Sequence, residues 1–397
     1  MPTPSSKAMH RKRRILLAFG TRPEAIKMAP LVPVLRASST LEPVIGVTAQ
    51  HRHMLDQVLD LFGIVPDFDL DLMQPSQRLP DLTARVLQAS SDVLQSLAPD
   101  MVLVHGDTTT TLAVSLAGFY AGIPVGHVEA GLRSGNMQAP WPEEMNRRLT
   151  APLCELHFPP TETARRSLLA EGIPADRVIV TGNTVIDSLK AMDQRLRTDD
   201  ALSAGIRSRF SFLSADKRLL LVTGHRRENL EGGLERICEA LATLAQRGDV
   251  QIVYPVHMNP TVRQTVEGKL SGVANVHLVE PLDYLSFVYL MRQAYLILTD
   301  SGGIQEEAPA LGKPVLVLRN TTERPEAIEA GTALLVGNEA GRIVDATTRL
   351  LDDDGEYRRM ASAHNPYGDG QASGRIVAAI ERHFQCSGEP ASERPFA

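Results

Sequence analysis

The chain has 397 residues, 43% of them hydrophobic and 22% charged, with a formal net charge of -6. That length exceeds one ordinary domain and predicts two, each with a sizeable core. The acidic balance speaks against a nucleic-acid binder, no apolar run reaches membrane-spanning length, and three cysteines without paired or metal-like spacing fit a reduced, cytosolic setting.

The start, up to Arg14, is polar and basic and reads as a solvated leader without a signal-peptide pattern. Short apolar runs then alternate with helical patterns. In the first half they are Ile15–Phe19, Val44–Thr48, Met101–His105, Val125–Glu129, Leu156–Phe158 and Val178–Val180. In the second half they are Leu219–Thr223, Ile252–Val256, Val276–Val279, Leu296–Leu298, Val315–Leu318 and Ala333–Val336. Continuous β-branched runs between helices predict parallel strands buried on both faces, hence a doubly wound sheet in each half. Leu189 to Lys217 is charged and helical in pattern, and Gln371–Phe384 reads as a tail helix after an Asn365-Pro366-Tyr367-Gly368 break. The domain crossing is expected near Thr184–Ser188. The expected division is 1–184 with 366–397 returning to it, and 185–365 as the nucleotide-binding domain.

Polar residues gather where the apolar runs end, which is where open parallel sheets bind ligands. After the first run stands Gly20-Thr21-Arg22-Pro23-Glu24, with Lys27 one turn on. Thr21 and Glu24 have capping-box spacing, and a helix N-terminus beside Arg22 and Lys27 suits a phosphate. His105-Gly106-Asp107 is followed by four threonines, with an N-cap as the ordinary role of Asp107. Glu129 ends a run that should be buried, so it needs a partner, and Arg133 is the nearest cation. Trp141-Pro142-Glu143-Glu144 reads as a fixed loop entering a helix. In the second half, Gly224-His225-Arg226-Arg227-Glu228-Asn229 brings a side chain that titrates near neutrality. Ser301-Gly302-Gly303 opens a helix whose N–H groups suit a phosphate, with Glu307 further along it as an acceptor for ribose hydroxyls. Each segment alone has a structural explanation: a capped helix, a solvated helix start, a satisfied histidine, a glycine-rich turn. There is no G-x-G-x-x-G fingerprint, and Gly312-Lys313 runs into Pro314 instead of a P-loop Ser or Thr. The histidines form no zinc pattern. A nicotinamide cofactor, ATP and catalytic zinc therefore lack support.

Together, Gly-Thr-Arg-Pro-Glu, His-Gly-Asp-Thr-Thr-Thr-Thr, His-Val-Glu-Ala-Gly-Leu-Arg, Trp-Pro-Glu-Glu, Gly-His-Arg-Arg-Glu-Asn and Asp-Ser-Gly-Gly-Ile-Gln-Glu-Glu resemble, in order, the non-hydrolysing bacterial UDP-N-acetylglucosamine 2-epimerases. The likeness spans nearly the whole chain. It implies an α/β, GT-B-like fold, with two Rossmann-like doubly wound domains facing across a cleft. It also implies a cytoplasmic homodimer that uses neither cofactor nor metal. The implied reaction is reversible epimerisation at C2 of UDP-N-acetylglucosamine, by loss of UDP, a 2-acetamidoglucal intermediate and re-addition. By the same resemblance Asp107, Glu129, Glu143 and His225 take catalytic positions. Arg22, Lys27, Arg133, Ser301, Gly302 and Glu307 take substrate-binding positions. Gln50, His53, Arg227 and His257 lie in or near the segments that bind a second UDP-N-acetylglucosamine as activator; His53 stands where some regulated members carry Gln.

Three rivals share the pocket. A GT-B glycosyltransferase would need an acceptor, an epimerase of a diacetamido-uronic acid nucleotide would prefer that substrate, and a nucleotide-sugar sensor would bind without turnover.

Overall fold

In the first half, apolar runs closed by Gly, Asp or Thr form six parallel strands: β1 Arg13–Phe19, β2 Leu41–Val47, β3 Phe68–Asp69, β4 Met101–His105, β5 Val125–Val128 and β6 Leu156–Phe158. They lie in the order β3-β2-β1-β4-β5-β6. The second half repeats the plan with β7 Arg218–Thr223, β8 Val250–Pro255, β9 Val276–Val279, β10 Leu296–Thr299, β11 Val315–Val317 and β12 Ala333–Leu335, ordered β12-β11-β10-β7-β8-β9. Both are Rossmann orders, and the strand order reverses between β1 and β4 and between β7 and β10. The computed structural model describes residues 11–48, 52–72, 77–224, 226, 229–230 and 232–387.

Helices cover both faces of each sheet, so the central strands are apolar over most of their length, with polar residues at their ends. Ile15, Leu17 and Phe19 of β1, and Leu220, Leu221 and Val222 of β7, are wholly buried. Each such side chain contributes roughly 1.5–3 kcal/mol by leaving water. Two details depart from the pattern expected of the sequence. β3 is a two-residue edge strand that the apolar runs do not announce. Val178–Val180 is no strand; Val178 alone bridges to His157. The basic start also does more than sit in water, since Arg11 and Arg13 reach Asp100 at 3.1 and 3.2 Å.

The chain divides into two compact units, Met1–Ser188 with Gly370–Ala397, and Leu189–Asp369. The returning helix Ala372–Ser387 is tied to the first unit at several points. Asp187 accepts the Ala372 and Ser373 N–H groups at 3.2 and 2.8 Å, Ser38 donates to Glu381 at 2.7 Å, and the Arg13 guanidinium lies 4.6 Å from the centre of the Phe384 ring. Among the described residues no helix is long and apolar enough to cross a membrane.

Candidate active site

At the carboxyl end of β1 the chain turns at Gly20 with no room for a side chain. A Cβ there would stand 2.0 Å from the Thr48 hydroxyl. Thr21 then caps the helix Arg22–Met28 in a complete capping box with Glu24. Glu24 is buried and accepts from the Gly20 and Thr21 N–H groups at 3.0 and 2.8 Å and from the Thr108 hydroxyl at 2.7 Å. Burial still pushes its carboxyl above the ordinary range. Arg22 is the half-buried first residue of that helix.

After β4, Thr108 rather than Asp107 is the N-cap of the helix Thr109–Tyr120, accepting from Thr111 N–H. The Asp107 carboxylate is thus left for other use. It accepts twice from the Arg147 guanidinium, at 2.9 and 2.6 Å, while Asn146 donates to the Asp107 carbonyl at 2.8 Å. Both partners come from the helix Glu143–Thr150, whose first residue is Glu143. One Glu143 oxygen, Oε2, is buried without a hydrogen-bond partner.

After β5, Glu129 adopts φ +59°, a left-handed conformation that costs a non-glycine residue of order 1–3 kcal/mol. Its side chain is almost wholly buried and pairs with Lys27. Asn183 donates to it at 2.6 Å, and His105 Nε2 lies 3.9 Å away. Gly131 lets the following turn press on the helix Glu162–Ala170, since a Cβ there would lie 2.3 Å from the Ala164 carbonyl oxygen. The expected partner of Glu129, Arg133, is engaged elsewhere: its guanidinium forks onto Glu171 at 2.8 and 2.7 Å.

That fork begins a chain of alternating charge. Glu171 also meets Arg148 at 3.5 Å, Arg148 meets Glu144 at 3.4 Å, Glu144 meets Arg147 at 3.1 Å, and Arg147 holds Asp107. Glu144 is the buried acid of the Glu143-Glu144 pair. Burial opposes its ionisation, but the Ser134 N–H and the Arg147 guanidinium outweigh burial and hold the carboxyl below its usual range.

Three histidines lie under these strand ends. His105, His127 and His157 are buried in β4, β5 and β6. Burial pushes them down to about 4, about 4 and about 3, so they are neutral at pH 7. His127 Nε2 is 2.7 Å from the Gly106 carbonyl, which fixes the turn before Asp107.

The second unit presents different chemistry. Ser301 precedes the helix Gly302–Ala310 after β10, and its side chain makes no capping bond. The first-turn N–H groups of such a helix lie outside the intrahelical ladder. Glu307 is buried and accepts from the Tyr284 hydroxyl at 3.1 Å. Glu306, its neighbour, is buried against Arg324. Asp300 is fully buried and accepts from the Arg226 N–H at 2.9 Å and Asn229 at 3.1 Å. Gly224 after β7 packs against the buried Tyr254, which donates to its carbonyl at 3.0 Å.

Lys27, Glu129 and His105 are brought together, and Asp107 is joined to the helix of Glu143. Ser301, Gly302 and Glu307 share one helix and its cap. His257 is exposed and accepts the Asn259 N–H at 3.1 Å. Gln50, His225 and Arg227, and the side chain of His53, lie outside the described residues. Sequence reasoning passed over Arg147, Asn146, Asn183, His105 and Tyr284. His105 stood inside a segment already singled out, and Asn146 and Arg147 follow closely on another; Asn183 and Tyr284 stood in none.

The UDP-N-acetylglucosamine 2-epimerase family model matches residues 34–381. A probable UDP-N-acetylglucosamine 2-epimerase of Ralstonia nicotianae is 60% identical over 373 residues, 94% of this chain and 100% of that one. The UDP-N-acetylglucosamine 2-epimerase of Yersinia pestis is 58% identical over 93% of this chain and 99% of its own. Among solved structures, the Neisseria meningitidis UDP-GlcNAc 2-epimerase bound to UDP-GlcNAc superposes with a TM-score of 0.87 at 51% identity, covering 93% of this chain and 100% of that one.

Proposed function

This chain belongs to the UDP-N-acetylglucosamine 2-epimerase family, and on that premise we propose how its residues divide the work of epimerising UDP-N-acetylglucosamine at C2. The enzyme is an isomerase with two GT-B-like Rossmann units acting on a UDP-sugar.

The C2 proton has no carbonyl beside it in the ring and is not acidic. Loss of UDP creates positive character at C1 and acidifies C2. Removal of the C2 proton then gives 2-acetamidoglucal, and protonation on the other face with return of UDP gives UDP-N-acetylmannosamine. The observation that carries this reading is a set of first-unit carboxylates: at the strand ends Glu129, its side chain almost wholly buried on a left-handed backbone, and Asp107, held by Arg147, with Glu143 at the start of the helix that supplies Arg147, one oxygen unpartnered. Fixed carboxylates there can stabilise developing positive charge and move protons. Lys27, which sits on Glu129, and Arg22 are the first unit's cations for the departing diphosphate; His225 takes its role from the family resemblance. The Ser301-Gly302 helix start takes phosphate oxygens, and Glu307 takes the ribose. Arg133 acts on the substrate side through the charge chain that ends at Asp107.

Turnover in heavy water tests the route. Product should carry deuterium at C2, and an oxygen-18 label in the C1–O bridge should scramble into the β-phosphate. Unlabelled C2 would overturn it.

The family resemblance also supports a cytoplasmic homodimer and an activating second UDP-N-acetylglucosamine near Gln50, His53, Arg227 and His257. Phe119 and Tyr120, 58% and 69% exposed at the end of one helix, favour self-association of the first unit. Sedimentation would read the dimer. A sigmoidal forward rate, and a reverse reaction that stalls without added UDP-N-acetylglucosamine, would read the activator.

A further inference from the structure

The second unit contains a cavity of about 520 Å³ that none of the residues assigned above lines. Three elements wall it. The helix Thr184–Thr198 brings Lys190, Asp193 and Arg197, the last turn of the helix Tyr284–Gln293 brings Arg292, and the turn after the helix Gly302–Ala310 brings Lys313. All five lie in the second unit.

Four cations thus share one carboxylate. Asp193 takes Arg197 Nε at 2.8 Å through Oδ2, and its Oδ1 stands 3.5 Å from Arg292 Nε. That Oδ1 is buried and accepts no hydrogen bond. Lys190 donates to the Asp369 carbonyl at 2.5 Å. Lys313 is half-buried, and Asp193 acts on its ammonium only at a distance. Burial and the nearby Arg292 lower its proton affinity, outweighing Asp193.

Cations at helix ends have an ordinary explanation, because a C-terminus carries about half a negative charge. Three helices end here, at Thr198, Gln293 and Ala310. Counting all three with Asp193 still leaves about one and a half positive charges in excess. Like charges held round a cavity repel one another unless an anion enters. The volume also falls within the range of roughly 300–1,000 Å³ typical of small-molecule pockets. The Ser301 end of the Gly302–Ala310 helix is the full helix away, roughly 13 Å at 1.5 Å per residue.

We propose that this pocket is a second anion site, distinct from the Ser301 end, which takes a small phosphate-bearing anion through Arg197, Arg292 and Lys313. Guanidinium forks match phosphate oxygens in pairs. In the unliganded protein Asp193 serves as an internal stand-in for that anion, occupying part of both forks.

This assigns opposite signs to neighbouring substitutions. Equilibrium dialysis of the full chain with labelled inorganic pyrophosphate, with and without saturating UDP, is the test. Pyrophosphate should remain bound when UDP is saturating. Combined Arg292→Gln and Lys313→Met should weaken it about tenfold or more, since two charge-assisted hydrogen bonds are lost. Asp193→Asn should tighten it several-fold. Lys313→Met alone, which keeps the aliphatic stem, covers the case in which the double variant does not fold. UDP binding, read in the same dialysis, reports on the Ser301 end separately. Complete displacement of pyrophosphate by UDP, unchanged binding in the cation variants, or weaker or unchanged binding in Asp193→Asn would each overturn the proposal.

Discussion

The two units share one strand order and almost nothing at the strand ends. In the first, the turns after β4 and β5 carry carboxylates, each clamped by a cation: Asp107 by Arg147, Glu129 by Lys27. In the second, the turns after β7 and β10 carry glycines and backbone N–H groups, and the acids Asp300, Glu306 and Glu307 are folded inward onto Asn229, Arg324 and Tyr284. One scaffold therefore presents clamped carboxylates in one copy and backbone N–H groups in the other, the contrast on which the proposed division into proton chemistry and nucleotide binding rests. The fold fixes where a site can be, and the strand-end residues decide what it does.

Acid should separate the units most strongly. His105, His127 and His157 are buried neutral in the first unit, with folded-state values of about 4, about 4 and about 3. These lie below the ordinary 6.5, so the unfolded chain takes up protons first. Their stability contribution is intact above about pH 6.5 and is lost as pH falls toward about 4, at up to about 1.4 kcal/mol per histidine per pH unit. Glu24 and Asp187, both pushed up by burial, work the other way. Hydrogen exchange between pH 7 and 5 should show first-unit strands losing protection before β7 and β10. Equal loss in both units would break the contrast.

Chemistry should separate them next. Asp107→Asn, Glu129→Gln or Glu143→Gln should cut turnover about a hundredfold or more, with UDP affinity nearly unchanged. An NMR time course and calorimetry with UDP read the two quantities. A carboxamide that spares turnover would remove that residue from the mechanism.

Glu307→Ala should do the reverse, weakening UDP about tenfold by removing a charged acceptor while the fold persists. Unchanged affinity would show that the buried carboxylate serves Tyr284 alone. The smallest effect belongs to Arg133→Met. It removes one end of the charge chain and should lower stability by about 1 kcal/mol, with KM within about twofold. A large rise in KM would mean that Arg133 reaches the substrate directly.

The sheets were legible because each central strand is an unbroken apolar run closed by a turn residue, as in Met101–His105. β3 was not, because two residues at a sheet edge beside Pro66 and Asp67 carry no run. Val178–Val180 looked like a strand, yet it makes a single bridge, Val178 to His157. Asp107 and Glu129 stood out because an acid ending a buried strand is expensive. Their partners did not. Arg147 is 40 residues from Asp107 and Asn183 is 54 from Glu129, and no local pattern links them. The same distance hid the diversion of Arg133 to Glu171, which closes across 38 residues.

The return of the chain to its first unit sets an order of events during synthesis. Leu189–Asp369 is continuous and can complete its packing as soon as it has emerged. The first unit cannot. Asp187 waits for the Ala372 and Ser373 N–H groups, Ser38 for Glu381 and Arg13 for Phe384. At roughly 5–20 residues per second, the intervening segment keeps the ribosome occupied for roughly 10–40 s. Through that interval the half that carries the clamped carboxylates lacks its closing helix, so the second unit can finish folding before the first.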